Sequence, residues 1–278
     1  MNLHIVFVDR DSLPVPVPSC AFPHRFTAYP ATSREQLLAH CADADIVISN
    51  KVAFDADTLA ALPRLKLLAI AATGYNHIDV AACRERGIAV CNIRHYGDDT
   101  VAEHAFMLMM ALMRNLPAYQ RDVAAGVWQQ AAQFCHFGAP IRDLQGATLG
   151  IVGSGGIGQA MAARARAFGM RVQFAERKGA VTVRDGYVAF DALLASSDVI
   201  SLHCPLNDDT RNLIAQPELM AMKPGAVLIN TARGGLVDEE ALVAALKFGQ
   251  LGGAGFDVLL VEPPRDGNPL LKARLPHL

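Results

Sequence analysis

Short apolar runs alternate with amphipathic stretches along the chain, and this alternation predicts the fold. Leu3 to Val8 reads as a buried strand and the Pro-rich Leu13 to Pro18 as loop. Glu35 to Cys41 has helical character, Asp45 to Ser49 is a second strand, and Asp55 to Ala61 is a short helix before Pro63. Leu65 to Ala72 is a third strand, whose unbroken apolar run predicts burial on both faces. His77 to Arg86 reads as a helix stopped by Gly87, and Ile88 to Cys91 as a fourth strand. Strand–helix alternation of this kind predicts an open parallel α/β sheet. Thr100-x-x-Glu103 has the form of a capping box opening a long apolar helix, Val101 to Asn115. Pro117 to Ile141 is mixed, and its Trp128 and Phe134 either anchor an arm against a second subunit or pack locally. The alternation then resumes. Leu149 to Val152, Arg171 to Ala175, Asp198 to His203, Ala226 to Asn230 and Ala254 to Val258 read as strands, with helices at Pro217 to Met222 and Asp238 to Phe248. The pattern is that of an α/β protein with two open parallel sheets, divided at 1–98 and 99–278.

One junction carries more information than the rest. The run Leu149 to Val152 ends in Gly153-x-Gly155-x-x-Gly158 and passes directly into the helical Gln159 to Ala165. The first glycine of such a turn permits the bend, the second lets backbone approach a pyrophosphate, and the third lets helix and strand pack closely. The helix start offers free N–H groups and a positive dipole end to phosphate. The next strand ends on Glu176, where an acid can accept from adenosine ribose hydroxyls and repel a 2′-phosphate. That favours NAD over NADP, although Arg177 and Lys178 beside it are cations of the kind a 2′-phosphate seeks.

Composition narrows the remaining classes. The chain has 278 residues, 52% of them hydrophobic, and 25 basic against 27 acidic residues. This balance argues against a nucleic-acid or membrane-surface partner. No apolar run has the length of a signal segment or a bilayer span, so the expected location is the cytoplasm. The 6 cysteines are scattered without metal-ligand spacing, and no histidine pair has the spacing of a zinc site, so no metal is expected.

Ligands of open α/β sheets gather at the carboxyl ends of strands. Four such ends stand out: the glycine-containing turn Ala72 to Asn76, His203-Cys204-Pro205, the segment Asn230 to Gly235 with Arg233 among small residues, and Glu262 in a rigid Glu-Pro-Pro turn. With these, the chain resembles the D-isomer-specific 2-hydroxyacid dehydrogenases. The resemblance rests on G-S-G-G-I-G, L-H-C-P-L, K-P-G-A-V-L-I-N-T-A-R-G-G-L-V-D-E-E-A-L (Lys223 to Leu242) and G-A-G-F-D-V-L-L-V-E-P-P. A-A-T-G-Y-N-H-I-D, F-A-E-R-K-G-A and R-D-G-N-P-L-L are most similar to the glycerate dehydrogenase (hydroxypyruvate reductase) branch.

The resemblance implies a flavodoxin-like substrate domain followed by an NAD-binding Rossmann domain, and a homodimer. It implies that Arg233 holds the substrate carboxylate and polarises its 2-oxo group, and that Glu262 orients a catalytic histidine. Thr73, Gly74 and Tyr75 would clamp the carboxylate through backbone N–H groups, with Lys51 a further substrate neighbour. Gly153, Gly155, Gly156, Ile157 and Gly158 would hold the pyrophosphate and Glu176 the ribose; Thr100, Cys204, Pro205, Thr231, Ala232, Arg233 and Asp257 would surround the rest of the cofactor. A histidine suits proton delivery near neutral pH, and a neighbouring carboxylate favours its charged form.

One departure stands out. The family's histidine lies in a T-P-H segment about twenty residues after the glutamate, whereas Leu278 follows Glu262 by sixteen. Pro276-His277 lacks the preceding threonine and fits the slot leading into the strand before T-P-H. The expectation is therefore a sequence that stops before that histidine, with little or no turnover of its own. Two alternatives stand beside the NAD-dependent enzyme: a dinucleotide-sensing binding protein like the corepressors that resemble this family, and an NADP-linked glyoxylate reductase.

Overall fold

The computed structural model describes residues 2–17 and 19–278 and divides the chain into two compact units, Met1–Tyr96 and Gly97–Leu278. In the first unit the elements run β1 (Leu3–Phe7), β2 (His24–Ala28), α1 (Arg34–Cys41), β3 (Ile46–Ser49), α2 (Ala56–Ala60), β4 (Leu67–Ile70), α3 (Val80–Glu85) and β5 (Ala89–Asn92). The strands form one parallel sheet in the order β2-β1-β3-β4-β5. Carboxylates start two of the helices: Asp55 accepts from the Thr58 N–H and Asp79 from the Ala82 N–H, each satisfying a donor the helix leaves unpaired.

Two expectations change here. The anticipated two-sided burial of β4 does not hold, because Leu68 and Ile70 are buried while Leu67 and Ala69 are only half-buried. The cause is one-sided layering: Leu37 of α1, Leu59 of α2 and Cys83 of α3 all join Val6, Val47, Leu68 and Ile70 in a single cluster on one face. The edge strand β2 has no counterpart in the sequence pattern. In the Leu13 to Pro18 stretch, Pro18 lies outside the described residues, and Leu13 to Val17 contains neither helix nor strand.

The second unit runs α4 (Asp98–Met113), α5 (Leu116–Ala124), β6 (Thr148–Val152), α6 (Gly156–Ala167), β7 (Arg171–Phe174), α7 (Phe190–Ser196), β8 (Val199–Leu202), α8 (Gln216–Ala221), β9 (Ala226–Asn230), α9 (Glu239–Lys247), β10 (Leu251–Phe256) and α10 (Pro269–Ala273). Its sheet is also parallel, in the order β10-β9-β8-β6-β7. Every residue of β6, β8 and β9 is buried, which accounts for their largely apolar sequences. One face packs Leu149, Ile151, Val227 and Ile229 against Met109 of α4 and Met161 of α6. The other packs Val152, Ile200 and Leu228 against Leu193 of α7, Leu219 of α8 and Leu242 of α9. Both units thus have the Rossmann-like, doubly wound strand order in which direction of winding reverses beside the first strand. Among the described residues, no helix is long and apolar enough to cross a membrane.

The capping box expected at Thr100 is absent. Helix α4 begins three residues earlier, at Asp98, so Thr100 sits exposed inside the first turn, and Glu103 accepts from Arg164 Nη2 at 3.0 Å instead. Asp98 and Asp99 explain the earlier start, since two acids in the first turn complement the positive end of the helix dipole. The last strand also begins earlier than expected, at Leu251, and carries a register irregularity against β9 between Leu251 and Gly253.

Candidate active site

The carboxyl edge of the second sheet gathers most of the candidate residues. The glycine loop leaves β6 between β7 and β8, where the winding reverses and ligands of such sheets sit. Gly153 has φ +104, and a Cβ there would lie 2.6 Å from the carbonyl carbon and oxygen of His203. A Cβ on Gly158 would strike the Gly153 carbonyl oxygen, so α6 rests directly on the turn. Gly155, the N-cap of α6, faces open space: nothing lies within 4 Å of where its Cβ would be. Gly156 and Ile157 form the first turn of α6, and the Asp98 carboxylate fills the position of a Cβ on Gly156. The start of α4, with Thr100 in its first turn, therefore reaches the loop.

The other strand ends line the same edge. Glu176 follows β7 with its side chain 5% exposed, and Arg184 grips it with Nε at 2.6 Å from Oε2 and Nη2 at 2.9 Å from Oε1. This contact, aided by backbone N–H bonds, holds the Glu176 carboxyl down at about 2. After β8, burial pushes the half-buried Cys204 thiol up to about 11, and Pro205 is exposed, its carbonyl accepting from Thr210 Oγ1 at 2.7 Å. Burial also presses His203 down to about 4, while its Nε2 sits 2.8 Å from Ser201 Oγ.

Beyond β9, the buried Asn230 shapes the turn that carries Thr231, Ala232 and Arg233. Its Oδ1 accepts from the Ala232 N–H at 3.1 Å, and its Nδ2 donates to the Arg233 carbonyl at 2.8 Å. Arg233 is half-buried rather than buried, and its Nη1 donates to the Ala232 carbonyl at 2.6 Å. Beyond β10, Asp257 is anchored by its N–H to the Asn230 carbonyl at 3.1 Å, with its carboxylate 3.5 Å from His104 Nε2. His104 is thus paired with a candidate cofactor residue, a relation that separation in sequence conceals.

Glu262 is exposed, and its Oε1 accepts from the Leu259 N–H at 2.7 Å. Its loop is braced by a residue that no motif singled out. The buried Glu239, first in α9, accepts from the Leu260 N–H at 2.7 Å and from Asn268 Nδ2 at 2.5 Å. Gly234, next to Arg233, leaves no room for a Cβ against the Leu259 carbonyl. The Arg233 turn and the Glu262 loop are thereby tied together on adjacent strands.

In the first unit, winding reverses between β1 and β3. There the Asp9 carboxylate, 7% exposed, accepts from the Lys51 N–H at 2.7 Å and from the Asn50 N–H at 3.0 Å. The Lys51 side chain is exposed. Thr73, Gly74 and Tyr75 follow β4; the Thr73 carbonyl accepts from Asn92 Nδ2 at 2.7 Å, and the exposed Tyr75 accepts through its carbonyl from the Ile78 N–H at 3.0 Å.

The second-unit edge fits a dinucleotide. Gly155 provides an open cradle at a helix N-terminus, and Thr231 Oγ1 and His203 Nδ1 are buried without a hydrogen-bond partner among the described residues.

Comparison with known proteins agrees. The profile of the D-isomer specific 2-hydroxyacid dehydrogenase NAD binding domain matches residues 106–277. The chain is 48% identical to a glycerate dehydrogenase of Methylorubrum extorquens (strain ATCC 14718 / DSM 1338 / JCM 2805 / NCIMB 9133 / AM1) over 279 aligned positions, covering 100% of this chain and 88% of that one. It is 35% identical to a hydroxypyruvate reductase of Blautia hydrogenotrophica (strain DSM 10507 / JCM 14656 / S5a33), over 89% of this chain and 79% of that one. The crystal structure of a glyoxylate reductase from Paecilomyes thermophila superposes with a TM-score of 0.81 at 32% identity, over 99% of this chain and 86% of that one. With a Rossmann edge built for NAD and an arginine turn tied to a glutamate loop beside it, the chain belongs to the D-isomer-specific 2-hydroxyacid dehydrogenases, enzymes that use NAD to interconvert 2-oxo and 2-hydroxy acids.

Proposed function

We propose that the enzyme reduces hydroxypyruvate and glyoxylate and oxidises D-glycerate. The observation that carries the reading is the tie between the Arg233 turn and the Glu262 loop through Gly234 and Glu239, on neighbouring strands at the cofactor edge. The choice of substrate draws on the glycerate dehydrogenase that is 48% identical along the whole chain.

Bound NADH supplies the hydride. The glycine loop and the α6 N-terminus hold the pyrophosphate through N–H groups, and Asn230 fixes the turn from which Arg233 reaches the substrate. Arg233 suits a 2-oxo acid because a guanidinium can pair with the carboxylate and polarise the adjacent carbonyl as negative charge develops. Glu262 orients a proton-donating histidine and favours its charged form. The first unit is the substrate domain, and its Thr73, Gly74 and Tyr75 N–H groups serve the carboxylate; none of the three finds another acceptor among the described residues.

A homodimer in the cytoplasm completes the proposal. An apolar groove of ≈ 520 Å³ between α4 and α6, lined by Phe106, Met107, Met110 and Phe168, is open at the surface. Phe134 and Phe137, 91% and 90% exposed, add further uncovered apolar area. All six cysteines are free, which fits a reducing compartment.

NADH oxidation by the full-length enzyme across hydroxypyruvate, glyoxylate, pyruvate and 4-methyl-2-oxopentanoate tests the substrate. Highest kcat/KM for hydroxypyruvate or glyoxylate is expected. Preference for the branched acid would overturn the choice of substrate while leaving the reaction class intact.

A further inference from the structure

The adenosine end of the cofactor edge is arranged differently from what an acid alone at position 176 implies. Glu176 accepts four hydrogen bonds: Oε1 from the Arg177 N–H at 2.9 Å and Arg184 Nη2 at 2.9 Å, and Oε2 from the Arg184 N–H at 3.2 Å and Arg184 Nε at 2.6 Å. A carboxylate offers about four lone-pair sites, so none is left for ribose hydroxyls while this arrangement stands. The anion that would repel a 2′-phosphate is already matched by a bidentate guanidinium.

That guanidinium is also well placed to move. Its side chain is 58% exposed and lies over the ring of Tyr187, 4.0 Å from the centroid. Tyr187 is in turn fixed to the glycine loop, its Oη 2.6 Å from Ser154 Oγ. The local charges do not exclude an incoming anion. Arg177 and Arg184 balance Glu176 and Asp185, while Lys178 is occupied by Glu218 at 2.7 Å. A planar fork that grips a carboxylate through two parallel bonds grips a phosphate in the same way.

We propose that Arg184 is a specificity-determining residue that neutralises Glu176 and serves as the ligand for a 2′-phosphate, so that the enzyme takes NADPH alongside NADH. With NADPH the fork passes from the carboxylate to the phosphate while its face stays on Tyr187. With NADH it opens and frees Glu176 oxygens for the ribose diol. This deepens the cofactor site proposed above and rests on that reading of the glycine loop.

Fluorescence titration of the chain with NADH and NADPH tests it. The wild type is expected to bind both with dissociation constants within about tenfold of each other. Arg184→Ala should weaken NADPH at least about tenfold, or about 1.4 kcal/mol, while NADH binding holds or tightens because Glu176 is freed, and far-UV circular dichroism with urea unfolding certifies the fold. Arg184→Lys, which keeps charge but loses the fork, should fall between. Wild-type rejection of NADPH by more than about a hundredfold would overturn the proposal, as would an Arg184→Ala variant with an unchanged NADPH-to-NADH ratio. If Arg184→Ala binds neither nucleotide, Arg184→Lys decides, and a wild-type ratio in that variant overturns the proposal. A wild type that binds NADH alone defeats this proposal only, whereas one that binds neither defeats the dinucleotide site itself.

Discussion

Two alanine substitutions two residues apart in the same turn, Gly153→Ala and Gly155→Ala, should separate folding from cofactor binding. At Gly153 the backbone has φ +104, and a new Cβ would lie 2.6 Å from His203 backbone atoms and 2.7 Å from the Cys204 nitrogen. Backbone cannot yield as a side-chain tip can. The unfavourable φ costs about 1–3 kcal/mol, and forcing β6 from β8 adds about 1–3 kcal/mol. The sum, about 2–6 kcal/mol, is a large part of a domain's usual stability of about 5–15 kcal/mol. At Gly155 the conformation is ordinary, with φ −71, and the Cβ meets nothing within 4 Å. Replacing an N-cap glycine by alanine costs at most about 1 kcal/mol. The same methyl occupies the cradle that the pyrophosphate must enter, so NADH affinity should fall at least about tenfold, or about 1.4 kcal/mol. Urea unfolding and NADH fluorescence titration on both variants give the comparison. A Gly155→Ala protein that binds NADH as tightly as wild type would refute the assignment of the cradle. A Gly153→Ala protein of wild-type stability would refute the packing argument.

Three further outcomes follow from the same geometry. Glu239→Ala leaves the buried Asn268 amide without its acceptor and frees Leu260, so stability should drop by about 1–3 kcal/mol in urea unfolding. In the full-length enzyme its kcat should fall while the KM for NADH holds, and an unchanged kcat would contradict the bracing role of Glu239. Burial lowers His203 from the usual 6.5 to about 4, so the unfolded chain takes up its proton first on acidification. The stability supported by neutral His203 is complete above pH about 6.5 and drains away as pH falls toward about 4. His203→Gln should flatten stability across that window, and an unaltered pH profile of urea midpoints would exclude His203 as its source. For the dimer, replacing Phe134 and Phe137 by Ser should shift sedimentation toward the monomer, whereas an unshifted dimer would place the interface elsewhere.

The parts of the fold that were legible are those whose burial is complete. Strands β6, β8 and β9 are covered on both faces and announce themselves as largely apolar runs, with only Thr148, Ser201 and Asn230 polar. Strand β2 was illegible because it is an edge strand of sequence His-Arg-Phe-Thr-Ala with no fully buried residue. The start of β10 was hidden by Gly252 and Gly253, whose low strand propensity disguises a segment held by its neighbour β9. At the site, the glycine loop could be named from its spacing, and Arg233 and Glu262 from their places at strand ends together with the family resemblance. Residues that act by holding others could not. Asn230, Glu239 and Arg184 act across turns or between elements, as Glu239 does over 21 positions to Leu260. Arg184 also changes the meaning of Glu176, since an acid that reads as bare in sequence is neutralised in the folded chain.

The enzyme's reaction is transfer of a hydride between the nicotinamide and C2 of a 2-oxo acid on one defined face. Reduction of hydroxypyruvate by full-length enzyme with NADH carrying deuterium at both C4 positions, followed by isotope and chiral analysis of the glycerate, tests this. Deuterium at C2 of D-glycerate is expected. Product without deuterium at C2, or glycerate of the opposite configuration, would contradict it.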